Sequence, residues 1–113
     1  MASIFTKILK GEIPGKIIFQ DELCAAIADI QPQAPHHILI FPKQELRSVA
    51  EAGPADERLL GHLLHVAAEI ARTEGFSADG YRLTINTGKH GGQTVDHLHV
   101  HLLGGRPMHW PPG

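Results

Sequence analysis

The chain has 113 residues, of which 42% are hydrophobic, which suffices for one folded domain with a modest core. Ten basic and twelve acidic residues give a formal net charge of −2, with no basic stripe to follow a nucleic-acid backbone, so we expect no polynucleotide partner. The single cysteine, Cys24, excludes an internal disulfide, and no apolar run approaches the roughly 18 residues of a membrane span. These features predict a single domain over residues 1–113 of a soluble, cytoplasmic protein.

The first half of the chain predicts a short helix followed by three strands. Ser3 can cap a helix that runs to about Lys10, and Gly11 can end it. The stretches that follow are apolar or β-branched, and turn residues or prolines separate them, as is typical of strands. We predict strands at 17–20, 23–28 and 37–41, and one or two helical turns at 46–50.

The second half predicts one long helix and two strands. Leucine and alanine recur every three or four residues between Asp56 and Glu74, which forms one apolar stripe, and Gly75 is well placed to end the helix. Residues 81–86 alternate like a strand, and a glycine-rich loop follows at 87–94. Strands before and after one long helix, joined by short turns, predict an α+β fold with a mainly antiparallel sheet.

Three histidines alternate with aliphatic residues directly after the glycine-rich loop: His97, His99 and His101. A two-residue period is that of a strand, so all three rings should project from one face, with the aliphatic residues on the other. Neighbouring rings should then lie about 6.6 Å apart and the outer pair about 13 Å apart. Groups that titrate near neutral pH on a stiff strand suit phosphate binding or proton transfer.

Two kinds of chemistry fit this histidine row. Backbone N–H groups of a glycine-rich loop can bind an anion, and a histidine can attack phosphorus, so together they suit phosphoryl transfer. Thr94 would add a hydroxyl and Asn86 an amide. Alternatively, two histidines at i and i+2 can share one zinc ion, with His37 or His90 as a further ligand. The spacing alone leaves both readings open.

The segment from His97 to Leu103 resembles the signature of the histidine triad superfamily, in which single hydrophobic residues separate three histidines. Within it, the chain is similar to the Hint branch of nucleoside phosphoramidases over nearly its whole length. This resemblance implies a HIT-like α+β fold with about five strands, one long helix and a short N-terminal helix, pairing as a homodimer. The matching segments are Ile4-Phe5-x-Lys7-Ile8, Glu12–Pro14, Lys16–Phe19, Asp29-Ile30, Pro32–Pro35, Gly91–Gln93 and the tail Gly104–Gly113.

The resemblance also implies an activity, the metal-independent hydrolysis of the P–N bond in adenosine or guanosine 5′-phosphoramidates, without a cofactor. His99 would be the nucleophile that becomes nucleotidylated, and the carbonyl of His97 would hold its ring. His101, with His37 beside it, would contact the phosphate and leaving group, and His101 or Thr94 would relay a proton to the amine. The alternatives are a dinucleoside polyphosphate hydrolase of another branch and a non-catalytic nucleotide-binding protein.

A purine nucleotide site such as that of AMP is implied as well. Asp29 matches a carboxylate that binds the ribose hydroxyls, with Ile30 beside it. Trp110 would contact the leaving group bound in the partner subunit. The base pocket is expected from Ile4, Phe5, Ile8, Ile27 and Leu39, and the rest of the nucleotide site from Asn86, Gly92, Gln93, Thr94, Val95, His99 and His101.

Overall fold

A computed structural model describes residues 2–113, which form one five-stranded sheet and two α-helices. Two short 3₁₀ helices, at Val49–Glu51 and Pro54–Asp56, precede the longer α-helix. The main elements are α1 (Ile4–Leu9), β1 (Ile17–Gln20), β2 (Cys24–Ala28), β3 (His36–Pro42), α2 (Glu57–Thr73), β4 (Tyr81–Ile85) and β5 (Val100–Gly104). The strand order is β1-β2-β3-β5-β4, and every neighbouring pair is antiparallel.

The predicted α+β fold is confirmed, but the histidine strand is shorter than the alternation predicts. β5 begins only at Val100, which pairs with Ile40 of β3 and Ile85 of β4, so His97 and His99 precede the strand. Continued pairing would require the backbone of Pro42, which has no N–H to donate. The predicted helical turns at 46–50 are likewise reduced to the 3₁₀ turn at Val49–Glu51.

The two faces of the sheet carry separate cores, and this division places the histidines. α2 packs on one face, where Leu98, Val100 and Leu102 join its apolar stripe. α1 covers part of the other face, where Phe5 packs with residues of β2 and β3. The expectation that the aliphatic neighbours turn away from the histidines is therefore confirmed, and the histidine rings lie on the side of α1.

The ends of both helices follow from capping residues that the sequence shows. Ser3 caps α1 by accepting a hydrogen bond from the Thr6 N–H at 3.2 Å, and Gly11 follows the helix with a φ of 76°. Gly75 follows α2 with a φ of 87° and donates to the Ala71 carbonyl at 3.1 Å. Glycine adopts these positive φ values without steric cost. Within residues 2–113, neither helix is long and apolar enough to cross a membrane.

Candidate active site

His99 is held so that one ring nitrogen is left available. Its ring is buried edge-on against Phe5, with 5.0 Å between ring centroids, and Nδ1 lies 2.7 Å from the backbone carbonyl oxygen of His97. A carbonyl can only accept, so Nδ1 carries the proton and Nε2 of the neutral ring carries the lone pair. No residue within 2–113 hydrogen-bonds to Nε2, and the ring lines a cavity. Nε2 can therefore act as an acceptor or a nucleophile.

His37 and His101 form a hydrogen-bonded pair whose proton positions also follow from their contacts. The backbone N–H of Gln33 donates to His37 Nδ1 at 3.0 Å, so the proton of the neutral His37 ring is on Nε2. This Nε2–H lies 2.9 Å from His101 Nδ1 and 3.4 Å from Asp29 Oδ2. When Nδ1 of His101 accepts, its own proton is on Nε2. His101 then presents an N–H donor beside His99, whose ring centroid is 4.9 Å away.

Burial keeps both members of this pair neutral. Burial lowers the pKa of His101 to about 4, and the nearby His99 and His37 add to the shift while Asp29 opposes it. Burial also lowers the pKa of His37, again against the attraction of Asp29. At neutral pH the pair therefore acts through hydrogen bonds and not through positive charge.

His97 does not join the row of rings that its spacing predicts. Its side chain is fully buried outside the cavity, and both ring nitrogens are occupied: Nε2 lies 2.7 Å from the Pro42 carbonyl and Nδ1 2.5 Å from Ser3 Oγ. Burial, more than any neighbouring charge, lowers the pKa of this ring. The predicted even spacing is wrong because only His101 lies within a strand, and the rings of His99 and His101 lean together. His97 offers the site its backbone carbonyl, not its imidazole.

A cavity of about 290 Å³ lies between α1 and the sheet, with the rings of His99 and His101 at its wall. The five apolar residues expected around a base all line it, and so do Asp29, Thr94 and Val95; Ile30, which is 88% exposed, lies at its edge. The resemblance assigned no role to several further lining residues, although two of the matching segments, Glu12–Pro14 and Asp29-Ile30, include or flank them. The additional residues are Ile13, Pro14, Gly15, Ala28 and Gln31.

Other expected site residues lie outside this cavity. Asn86 lines a second cavity of about 400 Å³ on the other side of His101, together with His37 and the C-terminal tail. The polar atoms of the Gln93 side chain already have partners within the protein. Its amide nitrogen donates to the carbonyls of Arg47 and Val95, and its oxygen accepts from the Gly88 N–H. Two further residues, Gly92 and Trp110, line neither cavity, and Trp110 is 81% exposed.

The residues that could hold a metal ion differ from the adjacent histidine pair that the sequence suggests. Donor atoms of Asp29, His37 and His101 lie within 4.8 Å of one another, although the His37–His101 hydrogen bond already uses two of them. Asp21, Cys24 and His62 form a second such group away from the cavity. In that group, burial and the nearby Asp21 carboxylate raise the pKa of the Cys24 thiol to about 12, so it stays protonated.

Comparison with known proteins agrees with this geometry. The HIT domain family model matches residues 10–108, which include His37, the cavity residues of the sheet and all three histidines of the row. The chain belongs to the HIT family. Its histidine signature and its five-stranded antiparallel sheet are therefore shared family features.

Individual HIT proteins are similar over almost the whole chain. The purine nucleoside phosphoramidase of Escherichia coli K12 is 52% identical over 106 residues, which cover 94% of this chain and 89% of that protein. An uncharacterized HIT-like protein of Synechococcus elongatus is 54% identical over 98% of this chain and 96% of its own. The crystal structure of a HIT family hydrolase from Legionella pneumophila superposes with a TM-score of 0.95 at 46% identity, covering 99% and 100% of the two chains. These relatives support a hydrolase of the HIT family.

Proposed function

We propose that this HIT protein hydrolyses the P–N bond of purine nucleoside 5′-phosphoramidates through a nucleotidyl intermediate on His99. The observation that carries the proposal is the hydrogen bond from His99 Nδ1 to the His97 carbonyl, since it leaves the Nε2 lone pair available at the cavity wall. The 52% identity to a protein named purine nucleoside phosphoramidase supports the choice of substrate.

The cavity suits a nucleoside monophosphoryl group. Its apolar end, formed by side chains of α1, β2 and β3, can enclose a base by shape. Asp29 would accept hydrogen bonds from ribose hydroxyls; the Gln31 N–H, 2.8 Å from Oδ1, holds its carboxylate, and the side chain remains 19% exposed. Thr94 and Val95 line the same cavity as His99 and would bring a hydroxyl and backbone to the phosphoryl group.

The reaction would proceed in two displacements. In the first, His99 Nε2 attacks the phosphorus, a P–N bond to the ring forms, the P–N bond to the amine breaks, and the amine leaves with a proton from protonated His101. In the second, water attacks the same phosphorus and gives a proton to the now neutral His101, the bond to His99 breaks, and the nucleoside monophosphate is released. The His97 carbonyl stabilises the ring while it carries the positive charge of the adduct, because Nδ1–H continues to donate to it.

His101 is the group best placed to assist the leaving amine. In the free protein its low pKa keeps it neutral, so its Nε2–H can donate a hydrogen bond to a phosphoryl oxygen. The negative charge of a bound phosphoryl group raises the pKa of a neighbouring imidazole, so substrate binding itself favours a protonated His101. Protonation of His101 at Nδ1 would break its hydrogen bond with His37, whose Nε2–H can then donate to Asp29 Oδ2, 3.4 Å away.

We also propose that the protein works as a homodimer in the cytoplasm. β4 is an edge strand, and Ile85 on it is 39% exposed. An edge strand with an exposed apolar residue is a ready surface for a second copy. The exposed Trp110 lies in the tail and can then contact the leaving group in the other subunit, as the resemblance implies.

The experiment that tests the proposal compares wild type with His99→Ala on adenosine 5′-phosphoramidate in the presence of a chelator. We expect wild-type turnover and a loss of at least about a thousandfold in the variant, because a covalent step has no substitute nucleophile. His65→Ala is the matched control. His65 is exposed on α2, so this variant should retain full activity.

Diadenosine polyphosphates serve as the second substrate in this comparison. Faster cleavage of these than of the phosphoramidate would favour the polyphosphate hydrolase of another branch. AMP binding without turnover of either substrate would contradict the enzyme assignment and indicate a nucleotide-binding protein. Chelator-sensitive turnover would contradict the metal-independent mechanism.

A further inference from the structure

We propose that Ser3 and Glu45 are positioning residues for the nucleophile, which they influence through the ring of His97. The inference rests on the proposed function, because it assigns these residues a part in the same reaction. Neither residue lines the cavity that contains His99, so their effect would be indirect.

Hydrogen bonds, connected covalently within Ser3 and within His97, join these residues to His99. Glu45 Oε1 accepts from the Ser3 backbone N–H at 2.5 Å and from the Thr6 hydroxyl at 2.9 Å. Ser3 Oγ lies 2.5 Å from His97 Nδ1, and the carbonyl of His97 accepts from His99 Nδ1 at 2.7 Å. The start of α1 is thus connected to the reactive ring through one buried histidine.

The proton positions along this chain follow from its fixed donors. The Pro42 carbonyl can only accept, so His97 Nε2 carries the proton of the neutral ring and Nδ1 must accept. Ser3 Oγ accepts from the Thr6 backbone N–H at 3.2 Å, and its single proton goes to His97 Nδ1 at 2.5 Å in preference to Thr6 Oγ1, which is 3.4 Å away. Ser3 is therefore the donor that completes the hydrogen bonding of the fully buried His97 ring.

Loss of that donor would disturb the nucleophile. A buried imidazole nitrogen without a partner is costly, so His97 would rotate, change tautomer or admit water. Because both ring nitrogens anchor this segment, we expect such a change to displace the backbone of His97, including the carbonyl that fixes the proton of His99. Small displacements of a reacting group are expensive, and a misplacement of about 1 Å can cost about a hundredfold in rate.

A structural role for Ser3 as a simple helix cap predicts a different outcome. Ser48 provides the comparison, because it caps the 3₁₀ helix Val49–Glu51 by accepting from the Ala50 N–H at 3.2 Å and is likewise mostly buried. Loss of either cap should lower stability. Only loss of Ser3 should alter the histidines.

The test compares Ser3→Ala, Ser3→Thr, Glu45→Ala and the control Ser48→Ala. We expect Ser3→Ala to lower kcat about tenfold or more on adenosine 5′-phosphoramidate, with KM changed less than about twofold. Ser3→Thr should restore most of the rate because it keeps the hydroxyl. Glu45→Ala should have a smaller effect of the same kind, because this side chain is partly exposed and reaches His97 through Ser3.

Nitrogen NMR of the histidine rings gives a readout that does not depend on turnover. In wild type and Ser48→Ala, His97 should carry its proton on Nε2 and His99 on Nδ1, whereas Ser3→Ala should show a mixed state at one or both rings. Unchanged ring states together with an unchanged kcat in Ser3→Ala would overturn the inference. Wild-type protein that cleaves no phosphoramidate would instead contradict the proposed function, while the ring states would still test the connection.

Discussion

At the scale of single residues, the histidines differ in what is left for their ring nitrogens to do. His97 has both nitrogens occupied, His99 has one available, and His101 accepts at one nitrogen and can donate from the other. The three positions look equivalent in the sequence. They differ because each ring has other hydrogen-bond partners: the Pro42 carbonyl and Ser3 for His97, the His97 carbonyl for His99, and His37 for His101.

The neutral state of these rings predicts that the protein loses stability in mild acid. His37, His97 and His101 all have pKa values below the ordinary value of 6.5 in the folded protein, chiefly because of burial. As the pH falls through 6.5, the unfolded chain therefore binds more protons than the folded one, and the free energy of unfolding decreases. His101, whose pKa falls to about 4, accounts for on the order of 3 kcal/mol of this loss once the pH is below 4.

Urea unfolding near neutral pH and about two units lower measures this loss in wild type and in His101→Asn. The variant should lose less free energy of unfolding between the two conditions than wild type, whatever its absolute stability. An equal loss in both proteins would contradict the account of the buried pair.

At the scale of secondary structure elements, close packing between β5 and the segment after α2 leaves no room for a side chain at Gly104. A Cβ on Gly104 would lie 2.4 Å from the Phe76 ring. That ring cannot easily move, because it stacks on His36 with 4.2 Å between centroids and meets Tyr81 edge-on. Gly104→Ala should therefore lower the free energy of unfolding by about 1–3 kcal/mol, measured by urea titration.

Gly61→Ala is the matched substitution that should act in the opposite direction. Gly61 is an exposed residue within α2, and a Cβ there would meet nothing within 4 Å. Alanine favours the helix over glycine by about 1 kcal/mol, so this variant should be more stable than wild type. If both variants changed stability in the same direction, the packing argument for Gly104 would fail.

The elements themselves were largely predictable from periodicity and turn residues. The apolar stripe indicated α2 to within a residue or two, Pro14-Gly15 precedes β1, and Pro35 and Pro42 mark the two ends of β3. The start of β5 was not predictable from alternation, because it depends on Pro42 of a strand more than fifty residues earlier. Pairing between distant strands decides such boundaries, and a local pattern does not contain it.

At the scale of the whole molecule, the resemblance assigned most cavity residues, whereas spacing and the glycine-rich loop indicated only His99, His101 and Thr94 among them. Ile27, Leu39 and Val95 look like ordinary core residues, and only the fold brings them to the wall that His99 shares. Asn86, which the resemblance also assigned to the nucleotide site, lies with the C-terminal tail in the second cavity. His101 lines both cavities, so the proposed function predicts that the nucleoside occupies the first cavity and the leaving group the second.

The proposed dimer predicts that the tail of one subunit affects the active site of the other, which a monomer would not show. If Trp110 serves the partner's site, Trp110→Ala should alter leaving-group selectivity more than nucleoside affinity. Mixing it with His99→Ala should then form hybrid dimers in which an intact His99 meets an intact partner tail. We expect these mixtures to regain wild-type selectivity among phosphoramidates with different amines. Mixtures that keep the selectivity of Trp110→Ala alone would show that the tail acts within its own chain or not at all.

The stereochemical course at phosphorus tests the central claim most directly. A phosphoramidate made chiral by sulfur at phosphorus is hydrolysed in heavy-oxygen water, and the configuration of the product is determined. Two displacements, one by His99 Nε2 and one by water, predict retention of configuration. Inversion would mean that water attacks the substrate directly, and would contradict a nucleotidyl-His99 intermediate.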